Sequence, residues 1–367
     1  MKRITSYWPR FFFASLCALL LAGTGMSVAE EMLPELIQPG DAGYVSGELI
    51  YELESRPTPQ CHASTLVETP AGLVAAWFGG TREKNPDVGI WLSRNTGEGW
   101  STPVRVASGA EGEDQEYACW NPVLFQPSEG PLLLFYKVGV SPSLWWGMLM
   151  TSSDAGKTWS APRRLGTSSA LGEGNTNLIG PVKNKPIQLA DGSLLAPSSS
   201  EHRGWRVHFE ISRDLGKTWE VIGPIHDATD FNAIQPSILT YPNGRMQVLC
   251  RSREKVLVQS WSEDGGQTWG PVTATMLPNP SSGTDAVTLK DGRQLVIYNH
   301  TPSQRSPLNI AVSTDGTSWR PVVTLETAAG EYSYPAIIQT KDGKVHVTYT
   351  YRRESIKHVV LDPSAFK

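Results

Sequence analysis

The chain of 367 residues is predicted to fold as an all-β, six-bladed β-propeller whose last blade is closed by an N-terminal strand. Three observations predict this. First, a turn unit recurs. Ser152-Ser-Asp-Ala-Gly-Lys-Thr-Trp159, Ser212-Arg-Asp-Leu-Gly-Lys-Thr-Trp219 and Ser262-Glu-Asp-Gly-Gly-Gln-Thr-Trp269 are clean copies, Ser313–Trp319 is one residue shorter, and Ser93–Trp100 has Asn95 in the Asp place. Their spacing of roughly 50–60 residues is the range of propellers and solenoids. Second, the copies are separated by short apolar runs joined at Gly turns, and helical periodicity is nowhere sustained after the first 30 residues. Third, the strands balance only in a closed ring. The sixth repeat has no turn unit and is one strand short, while the stretch Gly47–Leu53 is one strand in excess. Pairing the two closes the ring and removes its open edges.

The elements follow in order. Residues 1–29 read as a secretory signal: Lys2, Arg3 and Arg10 precede the apolar run Phe11–Ala22, and Ser27-Val-Ala29 offers small residues for cleavage. The run is short for a transmembrane helix, so a periplasmic or secreted protein without stable membrane insertion is expected. Residues 30–46 are expected to be an irregular arm, and 47–367 the propeller. Repeat one runs from His62 through Val74–Phe78 to Val106. Repeat two has Asn121–Phe125 and Leu132–Tyr136. Repeats three to six begin near Pro186, Pro236, Ala286 and Pro335, with turns at Asp191-Gly192, Asn243-Gly244, Asp291-Gly292 and Asp342-Gly343. In each turn unit, Asp hydrogen-bonds its own backbone, Gly accepts positive φ, and the Trp covers apolar surface.

Composition narrows the function. Charged residues make up 19% and the net charge is −4, with no basic stripe interleaved with aromatics, which argues against a nucleic-acid binder. No Cys/His spacing suggests a metal site, and no motif demands a cofactor. Of the 13 Trp, those outside the turn units, such as Trp145, Trp146 and Trp205, suit stacking on sugar rings. Cys61 and Cys119 stand at matching positions of adjacent repeats and are expected to pair in an oxidising compartment.

Strand direction locates a site. The Gly turns and the turn units lie on one face of the ring. The opposite face collects the starts of the innermost strands and the loops after each second strand. The starts are His62, Trp120 with Asn121, Lys185, Gln235, Asp285 and Tyr334. The loops carry Arg82, Glu83 and Asp87; Lys137; Glu201 and His202; Arg251 and Arg253; Asn299, His300 and Arg305; and Arg352 with Arg353. An excess of Arg and Lys at one mouth suits an anionic ligand, because the guanidinium fork binds carboxylate bidentately. Glycoside hydrolysis needs an acid and a nucleophile or base. Asp87 is the acid candidate and Tyr334 or Tyr332 the nucleophile, with Glu201, Glu83 and Asp285 as further carboxylates. His62, Arg82, Asn121, Lys185, Arg251, Arg253, Asn299, His300 and Arg305 are candidate ligand contacts.

The turn unit resembles the Asp-box of sialidases and other propellers. Repeats, blade count and loop positions together resemble the exo-sialidase (neuraminidase) superfamily over roughly residues 47–361, and within it the divergent bacterial Asp-box (BNR-repeat) proteins. The resemblance implies a retaining exo-glycosidase acting on a terminal acidic sugar. Three arginines would hold the substrate carboxylate, a Tyr assisted by Glu would be the nucleophile, and an Asp would be acid and base. Asp87, in Asp-Val-Gly-Ile-Trp-Leu-Ser93, falls at the acid/base position. Arg251 matches the second arginine and Arg305 the third. Tyr332-Ser333 resembles the Tyr-Ser of the family, whereas counting back from Gly343 favours Tyr334. Two positions depart from the pattern: His62 stands at the first arginine, and Gln235 at the Glu that polarises the nucleophile. Asp285 or Glu201 would then supply the missing carboxylate. Two other readings remain open: a non-catalytic carbohydrate-binding propeller, and a polysaccharide lyase acting on uronates through Tyr and His.

Overall fold

The computed structural model describes residues 33–171 and 179–366. The segment expected to be a signal lies outside them. The described chain forms six four-stranded antiparallel sheets. Strand β1 (Tyr44–Leu49) is the N-terminal strand. Blade one comprises β2 (Gln60–Thr69), β3 (Gly72–Gly80), β4 (Gly89–Asn95) and β5 (Val104–Ala107). Blade two comprises β6 (Cys119–Phe125), β7 (Leu132–Val138), β8 (Trp146–Ser152) and β9 (Arg163–Arg164). Blade three comprises β10 (Ile187–Gln188), β11 (Leu194–Ser200), β12 (Arg206–Ser212) and β13 (Glu220–Ile222). Blade four comprises β14 (Ala233–Thr240), β15 (Met246–Ser252), β16 (Val256–Ser262) and β17 (Thr273–Pro278). Blade five comprises β18 (Asp285–Thr288), β19 (Gln294–Tyr298), β20 (Leu308–Ser313) and β21 (Arg320–Glu326). Blade six comprises β22 (Tyr332–Gln339), β23 (Val345–Tyr351) and β24 (Ser355–Leu361), with β1 as its outer strand.

The ring closes as expected. Strand β1 pairs antiparallel with β24, Ser46 opposite Val360 and Leu49 opposite Lys357. Pairing begins at Tyr44, inside the stretch expected to be an irregular arm. From residue 33 on, that arm is also tied down: Ile37 N–H donates to Thr324 O at 2.9 Å, and the Thr324 hydroxyl donates to Pro34 O at 2.6 Å.

The turn units hold the outer half of blades one to five. In blade four the Asp264 carboxylate accepts from the Thr268 N–H at 2.9 Å and the Thr268 hydroxyl at 2.6 Å, and Gly266 N–H donates to Ser262 Oγ at 2.8 Å. Gly266 has φ of 87°, which glycine adopts without steric cost. Trp269 then lies flat on Phe209 of blade three, ring centroids 4.2 Å apart at 9°. Each turn therefore also fastens its blade to a neighbour, and the burial of such rings is a large apolar contribution.

One expectation fails. Cys61 and Cys119 are free thiols, as is Cys250. Cys61 is buried with Tyr51 and Trp77 in one core cluster, whereas Cys119 belongs to another, with Val88 and Trp120. Matching repeat positions put the two side chains into separate cores instead of facing each other, and burial pushes both thiols up to about 12.

Candidate active site

The inner strands do not run straight into the mouth of the ring. Strands β2, β6, β14 and β22 each break register near their starts, between His62 and Thr65, Trp120 and Val123, Ile234 and Ser237, and Ser333 and Ala336. At these breaks Ala63, Asn121, Gln235 and Tyr334 have φ of 55°, 40°, 57° and 49°. A bulge of this kind re-aims a side chain and leaves backbone groups without ladder partners. Non-glycine residues in the left-handed region cost about 1–3 kcal/mol each and collect where surrounding structure holds them.

The holding groups come from blade three. Its innermost strand is only two residues long, and the chain before it takes another path. Ile179 O accepts from Lys137 Nζ at 2.9 Å, and Gly180 N–H donates to Glu210 Oε2 at 2.6 Å. This path delivers Lys183 and Asn184, both buried, to the axis. The Lys183 ammonium donates to Asn184 Oδ1 and Thr284 O, both at 3.0 Å, and to Pro335 O. Asn184 Nδ2 donates to Gln235 O at 2.9 Å and Ser237 Oγ at 2.8 Å. Buried carbonyls need donors, and this dipeptide supplies them to blades four, five and six. Burial pushes the Lys183 ammonium down to about 7.

Above this floor sit the polar and aromatic groups of the mouth. Arg251, at the end of β15, donates from Nη1 to the Tyr334 hydroxyl and, at 3.3 Å, to Gln235 Oε1. Its guanidinium lies 4.8 Å from the Trp205 ring, which Arg253 approaches at 4.4 Å. The His62 ring packs on Tyr334 with centroids 4.2 Å apart, and its Nδ1 is 3.0 Å from Thr350 Oγ1. Burial, then the charges of Arg353, Arg305, Arg251 and Lys183, hold the imidazole well below its ordinary value, so it is neutral. Arg305 lies 5.3 Å from the Tyr334 ring and donates to Glu331 Oε1 at 2.5 Å. Burial alone would raise the Glu331 carboxyl, but Arg305 and Arg353 hold it below the usual carboxylate range.

The expected site residues divide into groups. Tyr334, Arg251, Gln235, His62 and Arg305 come together by direct contact. Glu201 is half-buried beside Arg251, and burial raises its carboxyl. Asn121 is buried at the blade-two bulge. Asp87 lies in an exposed loop, its Oδ2 accepting from the Thr81 N–H at 2.7 Å and hydroxyl at 2.6 Å; Arg82 is exposed in the same loop. Others are committed elsewhere. Asp285 accepts from Lys185 Nζ at 2.8 Å, Ile337 N–H at 3.0 Å and Ser237 Oγ at 3.2 Å, so neither Asp285 nor Lys185 is a free ligand contact. Tyr332 is buried in the core of blades five and six. Asn299 is buried, and its amide donates to Pro307 O and Tyr332 O. His300 Nδ1 lies 2.5 Å from the Tyr298 hydroxyl.

Lys183 and Glu331 escape the sequence reading. Asn121-Pro, Gln235-Pro and Tyr334-Pro mark the bulged starts of three blades, and Lys185-Pro186 imitates them. In blade three the axial position falls two residues earlier, at Lys183, and no feature of the sequence signals that shift. Among the described residues no group of three or more His, Cys, Asp or Glu is arranged to hold a metal ion.

A six-bladed ring in which Tyr334 of a bulged inner strand meets Arg251 of a second strand is a propeller of the sialidase type. The chain belongs to the BNR repeat-like domain family, which matches residues 71–347. Among curated proteins it is 24% identical over 252 residues to a sialidase of Micromonospora viridifaciens, covering 65% of this chain and 33% of that protein. It is 25% identical over 220 residues to Sialidase-2 of Cricetulus griseus, covering 50% of this chain and 55% of the relative. The chain thus spans about a third of one relative and about half of the other. Among solved structures, a Hadza microbial sialidase superposes with a TM-score of 0.72 at 18% identity, over 87% of this chain and 69% of that one. The intramolecular trans-sialidase of Ruminococcus gnavus, in complex with oseltamivir carboxylate, gives 0.69 at 14% identity over 89% and 99%. A Dyadobacter fermentans protein of unknown function gives 0.71 at 18% over 87% and 98%.

Proposed function

We propose that the protein is an exported sialidase-type glycoside hydrolase that removes a terminal acidic sugar from a glycan. The observation that carries the reading is the Tyr334 hydroxyl held by the Arg251 guanidinium, with Arg305 beside the same ring. A substrate carboxylate next to the anomeric carbon would be bound by the guanidiniums. That carboxylate would repel an anionic nucleophile, which makes a neutral phenol the better attacking group, and a Tyr nucleophile is a known variant of glycoside hydrolysis. In the proposed reaction the Tyr334 oxygen bonds to the anomeric carbon and its proton passes to Glu201. The glycosidic oxygen leaves with a proton from Asp87. Water then returns a proton to Asp87 and attacks the anomeric carbon, and Tyr334 departs with the proton held by Glu201. Gln235 cannot take this proton, because a carboxamide is not a base. Of the two carboxylates that could replace it, Asp285 is used up by donors from three other blades, and Glu201 is the one whose environment favours holding a proton.

Gln235 also favours a second reading, a carbohydrate-binding propeller that keeps the pocket without the chemistry. The two are separated by incubating wild type, Tyr334→Phe and Glu201→Gln with a fluorogenic α-sialoside and a panel of glycans ending in acidic sugars, followed by mass spectrometry. The hydrolase reading expects free sugar from wild type and a loss of at least about 100-fold in each variant. Glycan retention with no product from any substrate would establish the binding propeller, and an unsaturated product absorbing in the ultraviolet would establish a lyase. Export rests on the residues preceding Glu30, and N-terminal sequencing of the protein from the extracytoplasmic fraction tests it; a retained Met1 would refute cleavage.

A further inference from the structure

We infer that His346 and His358 form a proton-operated latch at the seam where the ring closes. Uptake of one proton by the pair moves His358 from Trp100 of blade one to Glu48 of the closing strand, and so loosens blade six from blade one. The inference is independent of the catalytic reading. The pair lines a cleft of about 520 Å³ bordered by Gly72, Asn95 and Asp342, on the face that carries the turns.

Elsewhere in the ring the turn-unit Trp meets an apolar ring of the preceding blade. Trp269 lies on Phe209, and Trp219 stands against Phe135 with centroids 5.8 Å apart. At the closure seam the partner is titratable. Trp100 stands edge-on to His358, centroids 5.1 Å apart at 85°. Its indole N–H donates to His358 Nδ1 at 3.3 Å, and His358 Nε2 lies 3.0 Å from His346 Nδ1. An indole N–H only donates, so His358 Nδ1 accepts. The hydrogen-bond network then assigns the tautomers. Neutral His358 carries its proton on Nε2 and donates it to His346 Nδ1, which leaves the His346 proton on Nε2. One directed chain, from Trp100 to His358 to His346, crosses the seam with both rings neutral.

This chain has no place for an extra proton. On His358 Nδ1 it would face the Trp100 N–H. On His346 Nδ1 it would face the His358 Nε2–H, and shifting that proton to His358 Nδ1 gives the same result. Either way His358 Nδ1 becomes a donor and Trp100 loses its acceptor. A new acceptor stands ready. Glu48 is exposed, pairs with His358 across β1 and β24, and has its Oε1 3.6 Å from the same nitrogen. The other charged groups about the pair are Asp342, in the turn before β23, and Glu68 and Lys341, which line the same cleft. Lys341 N–H donates to Glu68 Oε2 at 2.9 Å, and Lys344 is paired with Asp362 at 2.6 Å. Burial, reinforced by His346, holds His358 down to about 3, and burial lowers His346 against the pull of Asp342. An opened seam restores the ordinary value near 6.5, so opening takes up protons below that pH. The closed seam is therefore fully stable above about pH 6.5 and loses stability as pH falls toward 3.

The test is amide hydrogen exchange, read peptide by peptide at about pH 7 and pH 5 and corrected for the intrinsic pH dependence of exchange. With His358 at about 3 closed and about 6.5 open, the opening equilibrium should rise about 25-fold between those two pH values. Peptides covering 44–49 and 355–361 are expected to lose about that much protection relative to 246–262 of blade four, which contains no histidine. His358→Phe, which installs the apolar ring found at the other contacts, is expected to abolish the difference. Glu48→Gln, at an exposed position, is expected to move the loss to lower pH, because the released His358 then lacks its charged acceptor. Nitrogen NMR shifts of labelled histidines above neutral pH should place the His358 proton on Nε2. Equal losses in blade four and at the seam, or a seam loss that persists in His358→Phe, would overturn the latch. So would a proton found on His358 Nδ1 above neutral pH.

Discussion

Replacing Asp285 by Asn is expected to weaken the fold, with any change in chemistry secondary to that. The carboxylate is 2% exposed, on blade five. It accepts from Lys185 of blade three, Ser237 of blade four and Ile337 of blade six. The amide of Asn would aim an N–H₂ group at one of these donors and would leave the Lys185 ammonium without a counter-charge. Breaking a fully buried ion pair on one side costs about 3–5 kcal/mol. The Lys185 side chain is 23% exposed, so water recovers part of this, and the expected loss is about 2–4 kcal/mol. Urea unfolding followed by Trp fluorescence measures it. The cycle completed with Lys185→Met and the double variant should show a coupling of roughly 1–3 kcal/mol, as expected for residues in contact. An Asp285→Asn protein within about 0.5 kcal/mol of wild type would refute the reasoning. So would one of wild-type stability that has lost turnover, since that result would return Asp285 to the chemistry.

Three further outcomes are expected. With its ammonium pushed down to about 7, Lys183 binds fewer protons folded than unfolded between about pH 7 and pH 10.4. Stability should therefore rise with pH across that window, and Lys183→Met should flatten the rise in urea midpoints taken at intervals of pH; an unchanged slope would count against the buried ammonium. In the protein without residues 1–29, and so without Cys17, three thiols should be unreactive to a thiol reagent when folded and titrate without reductant after denaturation, because Cys61, Cys119 and Cys250 are all buried and free; two missing thiols would reinstate a disulfide. The turn-unit carboxylates, with Asp264 held down to about 2 chiefly by the Thr268 hydroxyl, lend stability that is present above about pH 4 and is lost as pH falls through 2. Asp264→Asn should remove part of that acid dependence, and an identical acid midpoint would exclude the effect.

The fold was legible because its signals are local and repeated. A turn that needs Ser, Asp, Gly and Trp at fixed offsets announces itself in one sequence, and counting strands then demands that the ring be closed. The mouth was legible only where a repeat landmark pointed at it, as at Gln235-Pro and Tyr334-Pro. Where blade three abandons its inner strand the landmark misleads, and Lys185 stands in for Lys183. Asp285 and Tyr332 have the right chemistry in the wrong surroundings: one is saturated by donors from three other blades, the other buried in a core. Such partners lie 48 to 100 positions away in the chain for Asp285, and no local pattern records them. The missing disulfide has the same origin, since equivalent repeat positions share a direction into the ring but not a neighbour.

The strand that seals the ring also sets its clock. Ser46 pairs with Val360 across the whole length of the intervening blades. Loop-closure entropy grows slowly with length, so the seal costs little stability for its reach, but contacts this distant in sequence slow folding. Until β1 docks, β24 is an open edge able to accept another chain. Anything that delays or removes residues 44–49 is therefore expected to appear first as aggregation during refolding, before any fault shows at Tyr334 or Arg251.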